Sequence, residues 1–197
     1  PNDPALHVTF HDAVRFCSWL TRRWHDRLPA GWEVALPSEA EWEKAARGGD
    51  RVPVVPQPVG IDAVKDVLSH SSGALQPNGN AQRVHPWGDD FDAERTNSTE
   101  GAIGQTSAVG AFPMGASPYG CEEMAGNIWE WTCSLWGKDF SEPTFKYPYE
   151  VSAEREDLGA PNGVLRVVRG GSWVNPAFLL RCALRLRYLP DFRLSFL

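Results

Sequence analysis

The chain has 197 residues, of which 42% are hydrophobic, and a formal net charge of −6. This length can bury the core of one domain, which we expect to cover residues 1–197. The negative charge argues against a nucleic-acid partner, because phosphate recognition requires a basic stripe. No stretch approaches the roughly 18 apolar residues that a membrane-spanning helix requires. The first residue is Pro1 and not Met, which indicates a fragment or a trimmed chain.

The cysteines are scattered along the chain without a CxxC pair. This spacing does not fit a zinc site, and it is too sparse for a disulfide scaffold. Because free cysteine is commonly a core residue, we expect reduced or buried thiols rather than bridges. They are Cys17, Cys121, Cys133 and Cys182.

Two helices are predicted in the N-terminal quarter. The first covers residues 10–24, where apolar residues recur at helical spacing and Thr9 with Asp12 forms a capping box. The second has Ser38 as its N-cap and ends before Gly48. The inward face of the second helix should consist of Trp42, Ala45 and Ala46.

The rest of the chain has the composition of loops and short strands. Residues 51–85 are rich in Pro, Gly and Ser, so we interpret them as an irregular insertion with one short helix around 61–68. Beyond Pro86 the clearest strand is 164–169, which Gly170 ends. The sequence therefore predicts an α+β domain with two helices near its start and a loop-rich β region after them.

Several short motifs follow one another in order: VTFHDA (8–13) leading to FCSWL (16–20), LPSEAEWE (36–43), PWGD (86–89), MAGNIWEW (124–131) and VRGGSW (168–173). This series resembles the formylglycine-generating enzyme (sulfatase-modifying factor) family, whose members share a variant of the C-type lectin fold. The resemblance covers nearly the whole chain apart from residues 51–85. It implies two helices packed on a small, loop-rich antiparallel β region.

The motif MAGNIWEW also bears on metal binding. Gly126 and Asn127 suit a tight turn that exposes backbone carbonyls, and carbonyls with carboxylates are the ligands that Ca²⁺ requires. The resemblance implies a structural calcium site formed by the side chains of Glu123 and Glu130 and the carbonyls of Gly126 and Ile128. Glu123 stands where the family usually has Asn or Asp. The alternative is that Glu130 only bonds to nearby backbone.

The enzymes of this family bind copper through two cysteines near the C-terminus, because two thiolates hold a soft metal. Cys182 matches the second cysteine, but the first position holds Ala177. We therefore expect no copper and a domain that is not an enzyme. The alternative is a copper oxidoreductase of the formylglycine-generating type that acts on a peptide cysteine; Cu(I) binding through Cys182 would favour it.

Related iron-dependent sulfoxide synthases of thiohistidine biosynthesis require a His-rich site from an additional N-terminal helical domain. The chain has five His residues but no HxxxH pair, so this chemistry is not expected. We interpret His85, beside Pro86 and Trp87, as a packed or surface residue rather than a ligand.

The C-terminal segment 174–197 is unusually apolar and resembles the diversified region of variable proteins from diversity-generating retroelements, a subgroup with this fold. There, mutagenesis turns AAC codons into NNC codons, which cannot encode Lys, Glu, Gln, Met or Trp. Residues 174–197 contain none of these five types, whereas the preceding 173 residues contain 32 of them. The implied ligand-binding residues are Val174, Asn175, Ala177, Phe178, Leu180, Leu184, Leu186, Arg187, Tyr188, Leu189, Phe192, Leu194, Ser195 and Phe196.

The same segment can be interpreted as a half-buried terminal strand, because Leu180 to Leu186 alternate between apolar and polar residues. We favour a displayed surface that binds a protein or another macromolecule, since exposed apolar patches mark binding sites. A sensor or scaffold domain of a larger protein is a third alternative. The hypothesis requires seven side chains to point mainly toward water: Phe178, Leu184, Leu186, Tyr188, Leu189, Phe192 and Phe196.

Overall fold

The structure, a computed structural model, describes residues 2–56, 59–70, 73–193 and 195–196. The helices and strands follow in the order α1 (Phe10–Arg23), α2 (Glu39–Arg47), β1 (Arg51–Pro53), α3 (Ile61–His70), β2 (Leu75–Pro77), β3 (Glu130–Gly137), β4 (Leu165–Arg169) and β5 (Leu186–Tyr188). Within the described ranges, no helix combines the length and the apolar character that crossing a membrane would require.

Helix α1 begins at a capping box, as its sequence predicts. The Thr9 side chain accepts a hydrogen bond from the Asp12 amide at 3.0 Å, and the Asp12 carboxylate accepts one from the Thr9 amide at 3.1 Å. These bonds satisfy amides that the first helical turn leaves without partners. Phe10 is buried, whereas Phe16 and Trp19 stack on each other on the exposed side. Helix α1 therefore joins the core mainly through its first turn.

Helix α2 also has the predicted bounds. A capping box at Ser38 starts the helix, and Gly48 ends it with a φ of 79°. Trp42 and Ala46 are buried, and Ala45 is half-buried against the same cluster. The predicted inward face of α2 is confirmed.

Residues 51–85 contain a small antiparallel sheet with a helix between its strands. Strands β1 and β2 pair with Val52 opposite Gln76, and α3 confirms the helix predicted around 61–68. The side chain of Asn78 closes this segment by donating a hydrogen bond to the carbonyl of Gly49 at 2.8 Å.

The principal sheet has the strand order β3–β4–β5, and both pairs of strands are antiparallel. Strand β4 is the one predicted at 164–169; it lies in the middle, and all its residues are buried. Val168 pairs with Trp131 on one side and with Leu186 on the other. Together with Phe10, these residues place the core between α1 and the sheet. The α+β architecture agrees with the prediction.

A buried carboxylate connects α2 to the sheet and to the C-terminal segment. Glu39 accepts hydrogen bonds from Arg155 at 3.2 Å and from Arg169 at 2.9 Å, and it also accepts one from Arg185. Because a charge removed from water is costly unless it is paired, these groups depend on one another. Through Arg185, the network holds the chain just before β5 against the framework.

Candidate ligand-binding surface

The described part of the C-terminal segment, residues 174–193 and 195–196, returns along the principal sheet. It begins with a 3-10 turn at Ala177–Leu179 and continues into β5. Because successive side chains of a strand point to opposite faces, Leu186 and Tyr188 share one face of β5 while Arg187 lies on the other. The two faces therefore have different roles.

Part of this segment does not face water. The expectation that its apolar side chains point mainly toward water is wrong for four of them. These lie half-buried against the core cluster of α1, β3 and β4: Leu184, Leu186, Tyr188 and Phe196. The alternation along β5 directs two of them, Leu186 and Tyr188, onto the core. Leu180 is also buried, with 1% of its surface exposed, so it cannot contact a ligand. The half-buried strand was the better interpretation for Leu186 and Tyr188 alone, because Leu180, Leu184 and Phe196 are covered outside any strand.

Other predicted contact residues are accessible. The exposed fractions of Phe178, Leu189 and Phe192 are 64%, 39% and 43%. Ser195 is exposed, whereas Leu194 lies outside the described residues. The remaining predicted contact residues are half-buried, namely Val174, Asn175, Ala177 and Arg187.

The end of the C-terminal segment forms one wall of an apolar cleft of about 260 Å³, which we call the C-terminal cleft. Its lining residues are Lys138, Phe140, Gly163, Leu165, Tyr188, Leu189 and Phe192. The rings of Tyr188 and Phe192 stack with their centroids 5.4 Å apart. Burial raises the pKa of the Tyr188 hydroxyl, so this ring stays neutral at physiological pH.

The opposite wall, with Lys138 and Phe140, was missed by sequence reasoning. The indole of Trp136 donates a hydrogen bond to the carbonyl of Asp139 at 2.9 Å, which folds the loop after β3 back on the strand. Phe140 is thereby held on the outside, with 57% of its surface exposed. The available signal was an aromatic residue, Phe140, three positions after Gly137 at the end of β3.

The guanidinium of Arg187 contacts the ring of Phe140, which lines the C-terminal cleft, and the ring of Trp136. Its central carbon is 4.2 Å from the centroid of the Phe140 ring and 4.8 Å from that of Trp136. Among the described residues, its buried Nε has no hydrogen-bond partner. The Arg187 guanidinium is therefore stacked on aromatic rings but has no ion pair among the described residues.

The residues predicted to bind calcium come together at the start of β3. The Glu130 carboxylate accepts a hydrogen bond from the Trp42 indole at 2.5 Å, which is not the backbone contact of the alternative reading. Burial, with a smaller effect from Glu123, raises the pKa of Glu130 to about 7. Burial also raises the pKa of Glu123, and Glu122 adds to this. Neither Glu123 nor Glu130 has a cationic partner among the described residues.

The backbone between these two carboxylates adopts left-handed conformations, with φ of 59° at Glu123, 80° at Gly126 and 62° at Asn127. A Cβ at Gly126 would lie 2.3 Å from the Asn97 carbonyl oxygen, so only glycine fits there. The Asn127 carbonyl accepts a bond from the amide of Trp173, while those of Gly126 and Ile128 accept none from the described residues. Two carboxylates and two carbonyls without partners among the described residues are the types of ligand that a hard cation takes.

The residues at the positions of the family's copper site do not fit copper. The Cys182 thiol is fully buried, and burial raises its pKa to about 12, which opposes thiolate formation. The matching first position, Ala177, starts the 3-10 turn and supplies no sulfur. Among the described residues, no group of three or more His, Cys, Asp and Glu side chains could hold a metal ion.

His85 is a packed residue, as predicted. It is buried, its ring stacks on that of Trp87 with centroids 5.2 Å apart, and its Nδ1 lies 3.3 Å from the Leu180 carbonyl oxygen. Burial lowers the pKa of the imidazole, so His85 stays neutral at pH 7. The four cysteines are free thiols.

Two capped helices on a small antiparallel sheet, followed by the glycine turns of MAGNIWEW and VRGGSW, define a protein of the formylglycine-generating enzyme class. Comparison with known families agrees: the family described as sulfatase-modifying factor enzyme 1-like domain matches residues 1–197, and the chain belongs to it.

Two curated relatives extend this comparison. The formylglycine-generating enzyme of Bos taurus is 32% identical over 194 residues, which cover 97% of this chain and 41% of that protein. Hercynine oxygenase of Mycolicibacterium thermoresistibile is 30% identical over 191 residues, which cover 94% of this chain and 32% of that protein. The chain thus spans less than half the length of either relative.

These relatives correct one expectation. We expected a domain that is not an enzyme, because one cysteine of the pair is replaced. That expectation is contradicted, since the relatives are named as enzymes and the family points to enzymatic activity.

A solved structure shows the same fold. Treponema denticola variable protein 1 has a TM-score of 0.57 and 21% sequence identity, and the match covers 99% of this chain and 69% of that one. The predicted fold of the formylglycine-generating type and the suspected family are confirmed.

Proposed function

We propose that the chain is a recognition domain of this family that binds a polypeptide through the C-terminal cleft and the exposed side chains beside it. The observation that carries the proposal is the clustering of Leu189, Phe192 and Phe140 around the cleft, each more than one-third exposed. Exposed aromatic and aliphatic side chains grouped around a concavity are typical of protein recognition sites.

The framework beneath the cleft supports this role. Strand β5 pairs with the fully buried strand β4, and the chain just before it is held by Arg185 on the buried Glu39. A surface on a rigid strand loses little conformational entropy when a ligand binds. Substitutions of the outward residues should leave this buried support intact.

The experiment that tests the proposal is selection of a phage-displayed library of short random peptides on the immobilised protein. Enriched peptides are then measured against the Leu189→Ser/Phe192→Ser double variant and against Phe16→Ser. Phe16 is a matched control, because it is 56% exposed on α1, away from the cleft. We expect the double variant to lose at least about tenfold in affinity and the control to lose none.

Two results would overturn the proposal. One is a set of enriched peptides that bind the double variant as tightly as the wild type. The other is no enrichment above an unrelated protein surface. Circular dichroism of each variant shows whether it remains folded, so a loss of binding can be assigned to the surface.

We further propose that residues 174–197 are a diversified segment of the retroelement type, whose accessible side chains form the binding surface. The absence of the five residue types that NNC codons cannot encode supports this reading, as does the fold shared with a variable protein. The test is the surrounding DNA. A reverse transcriptase gene and a near-copy of the 3′ coding region that differs at adenines are expected, and their absence would contradict the proposal.

A second candidate is oxidation of a cysteine in a bound polypeptide, favoured by the 32% identity to a formylglycine-generating enzyme and by the retained Cys182. Because the chain has Ala177 where a second thiol would stand, the test compares wild type with Ala177→Cys. Both are incubated with copper, a cysteine-containing peptide and dioxygen as the oxidant, and aldehyde is detected with a hydrazide. Aldehyde from the wild type would establish this candidate; aldehyde from neither protein would exclude it.

A further inference from the structure

We infer that the C-terminal cleft selects an acidic peptide segment, in which a carboxylate binds Arg187 and Lys138 and a neighbouring apolar side chain enters the cleft. This inference rests on the proposed function and narrows it to one class of ligand. The juxtaposition that carries it is an unpaired, stacked guanidinium beside an apolar cleft whose rim carries an ammonium group.

Arg187 differs from the other arginines of the framework. Arg155, Arg169 and Arg185 each bond to the carboxylate of Glu39. Arg187 has no acidic partner among the described residues. The rings of Trp136 and Phe140 hold the guanidinium in place, so it is oriented before any ligand arrives.

Lys138 supplies a second positive charge at the rim. It is exposed and lines the cleft, and the described residues provide it with no ion pair. The nearby carboxylates are engaged elsewhere. Asp139 accepts a hydrogen bond from the Ser141 amide at 2.7 Å, and Asp191 accepts one from the side chain of Asn162 at 2.7 Å. Arg187 and Lys138 are therefore two cations at the cleft without an ion pair among the described residues, and such cations favour an anionic ligand.

The volume and the lining of the cleft indicate which peptide side chain would bind next to the carboxylate. Its volume of about 260 Å³ lies below the usual range for drug-sized ligands, so it suits a single side chain better than a cofactor. Leu165 and Leu189 contribute aliphatic surface, and the stacked rings of Tyr188 and Phe192 contribute aromatic surface. A peptide with an aromatic or large aliphatic residue next to Asp or Glu matches both parts. A planar guanidinium can bind a carboxylate through two hydrogen bonds, which gives specificity for the acid over its amide.

The test uses the peptides enriched on the wild-type protein in the library selection. Each peptide that contains Asp or Glu is resynthesised with Asn or Gln at that position, and both forms are titrated by fluorescence anisotropy. We expect the amide form to bind about tenfold more weakly, because a hydrogen-bonded charge pair is lost. Higher ionic strength should weaken only the acidic form.

Three variants test whether the difference in affinity between acidic and amide peptides arises at the C-terminal cleft. In Arg187→Gln, the acidic and amide forms should bind equally. Lys138→Gln, at an exposed position that is not needed for folding, should reduce the difference between the two forms. Arg181→Gln removes the same charge from an exposed position outside the cleft lining, so it should preserve the full difference.

The results separate this inference from the proposed function. If the Leu189→Ser/Phe192→Ser variant loses binding but acidic and amide peptides bind alike, the surface is a recognition site and the acidic preference is wrong. If the Leu189→Ser/Phe192→Ser variant binds every peptide normally, the proposed function fails as well. Equal loss of the acid–amide difference in Arg181→Gln and Arg187→Gln would also overturn the inference, because it would indicate only net charge.

Discussion

Leu180 and Phe192 belong to the same apolar segment but have opposite environments. Leu180 is 1% exposed beneath the 3-10 turn, whereas Phe192 is 43% exposed at the C-terminal cleft. Both residues were predicted to contact a ligand, and only Phe192 can do so. Hydrophobicity alone did not distinguish them, because an apolar residue on a binding surface and one in a core have the same composition signal.

These two residues therefore predict opposite mutational effects. Leu180→Ala should lower the free energy of unfolding by about 2–5 kcal/mol, because it leaves a cavity in the core, and should leave peptide affinity unchanged in the folded fraction. Phe192→Ala should weaken peptide binding while changing stability by less than about 1 kcal/mol. Urea denaturation and peptide titration of both variants measure this. Similar stability losses in both would contradict the assigned environments.

The environment of a single residue, Glu130, leads to a second prediction. Its pKa is raised to about 7 from 4.5, so the folded state without metal binds a proton more tightly than the unfolded chain. Stability of the metal-free protein should therefore fall as the pH rises from about 4.5 to about 7, by an amount on the order of 3 kcal/mol. Calcium bound by Glu123 and Glu130 should oppose this loss. We propose this site as a structural calcium site, because its carboxylates have no other cation.

The measurement is the thermal midpoint at pH 8 with calcium and with a chelator. Calcium at 100 times its dissociation constant should raise stability by about 2.7 kcal/mol in the wild type. Glu130→Gln should lose this response and should exceed the wild type in stability when the chelator is present, since it carries no buried charge. An equal calcium response in Glu130→Gln would place the cation elsewhere.

At the scale of elements, the helices were predictable because their signals are local. The capping boxes at Thr9 and Ser38 and the glycine at the end of α2 are each determined by residues within one helical turn. The side chains of β5 were harder to assign. Whether Leu186 faces water depends on Val168 and Trp131 in strands far away in sequence, and no local pattern shows that pairing.

The candidate site shows the same contrast between features that depend on neighbouring residues and features that depend on residues far apart in sequence. Its C-terminal wall was predicted in part, since Tyr188, Leu189 and Phe192 stand out as apolar residues in a segment that does not alternate cleanly. Lys138 and Phe140 join them from a loop about 50 residues earlier. That approach is a consequence of the order β3–β4–β5, in which β4 separates the two walls, and it could not be inferred from spacing along the chain.

Glu39 predicts how strongly the elements are connected. It is buried in α2 and bonds to arginines from a loop, from β4 and from the chain before β5. Glu39→Gln should cost about 3–5 kcal/mol of unfolding free energy, because it leaves buried guanidinium groups without their counter-charge. Glu142→Gln, which removes a surface pair with Lys146, is the matched control and should change stability by less than about 1 kcal/mol. Equal effects in the two variants would contradict this account of the framework.

At the scale of the whole molecule, the buried framework lies in the helices and the principal sheet, whereas the accessible surface lies on the segments that follow β3 and β5. The family's fold is retained through α1, α2 and the principal sheet, while the copper-binding pair is incomplete at Ala177. The chain spans 41% of the bovine relative. The activity of the complete protein is therefore to be established by the binding and oxidation experiments proposed above. The recognition surface is the feature that the described residues themselves support.

The most direct test of that surface is to locate a bound peptide. An enriched peptide is added to ¹⁵N-labelled protein, and amide chemical shifts are followed by NMR. We predict the largest changes at Phe140, Tyr188, Leu189 and Phe192, with little change on α1. The largest changes at Phe16 and Trp19 on α1, with none around the C-terminal cleft, would contradict it.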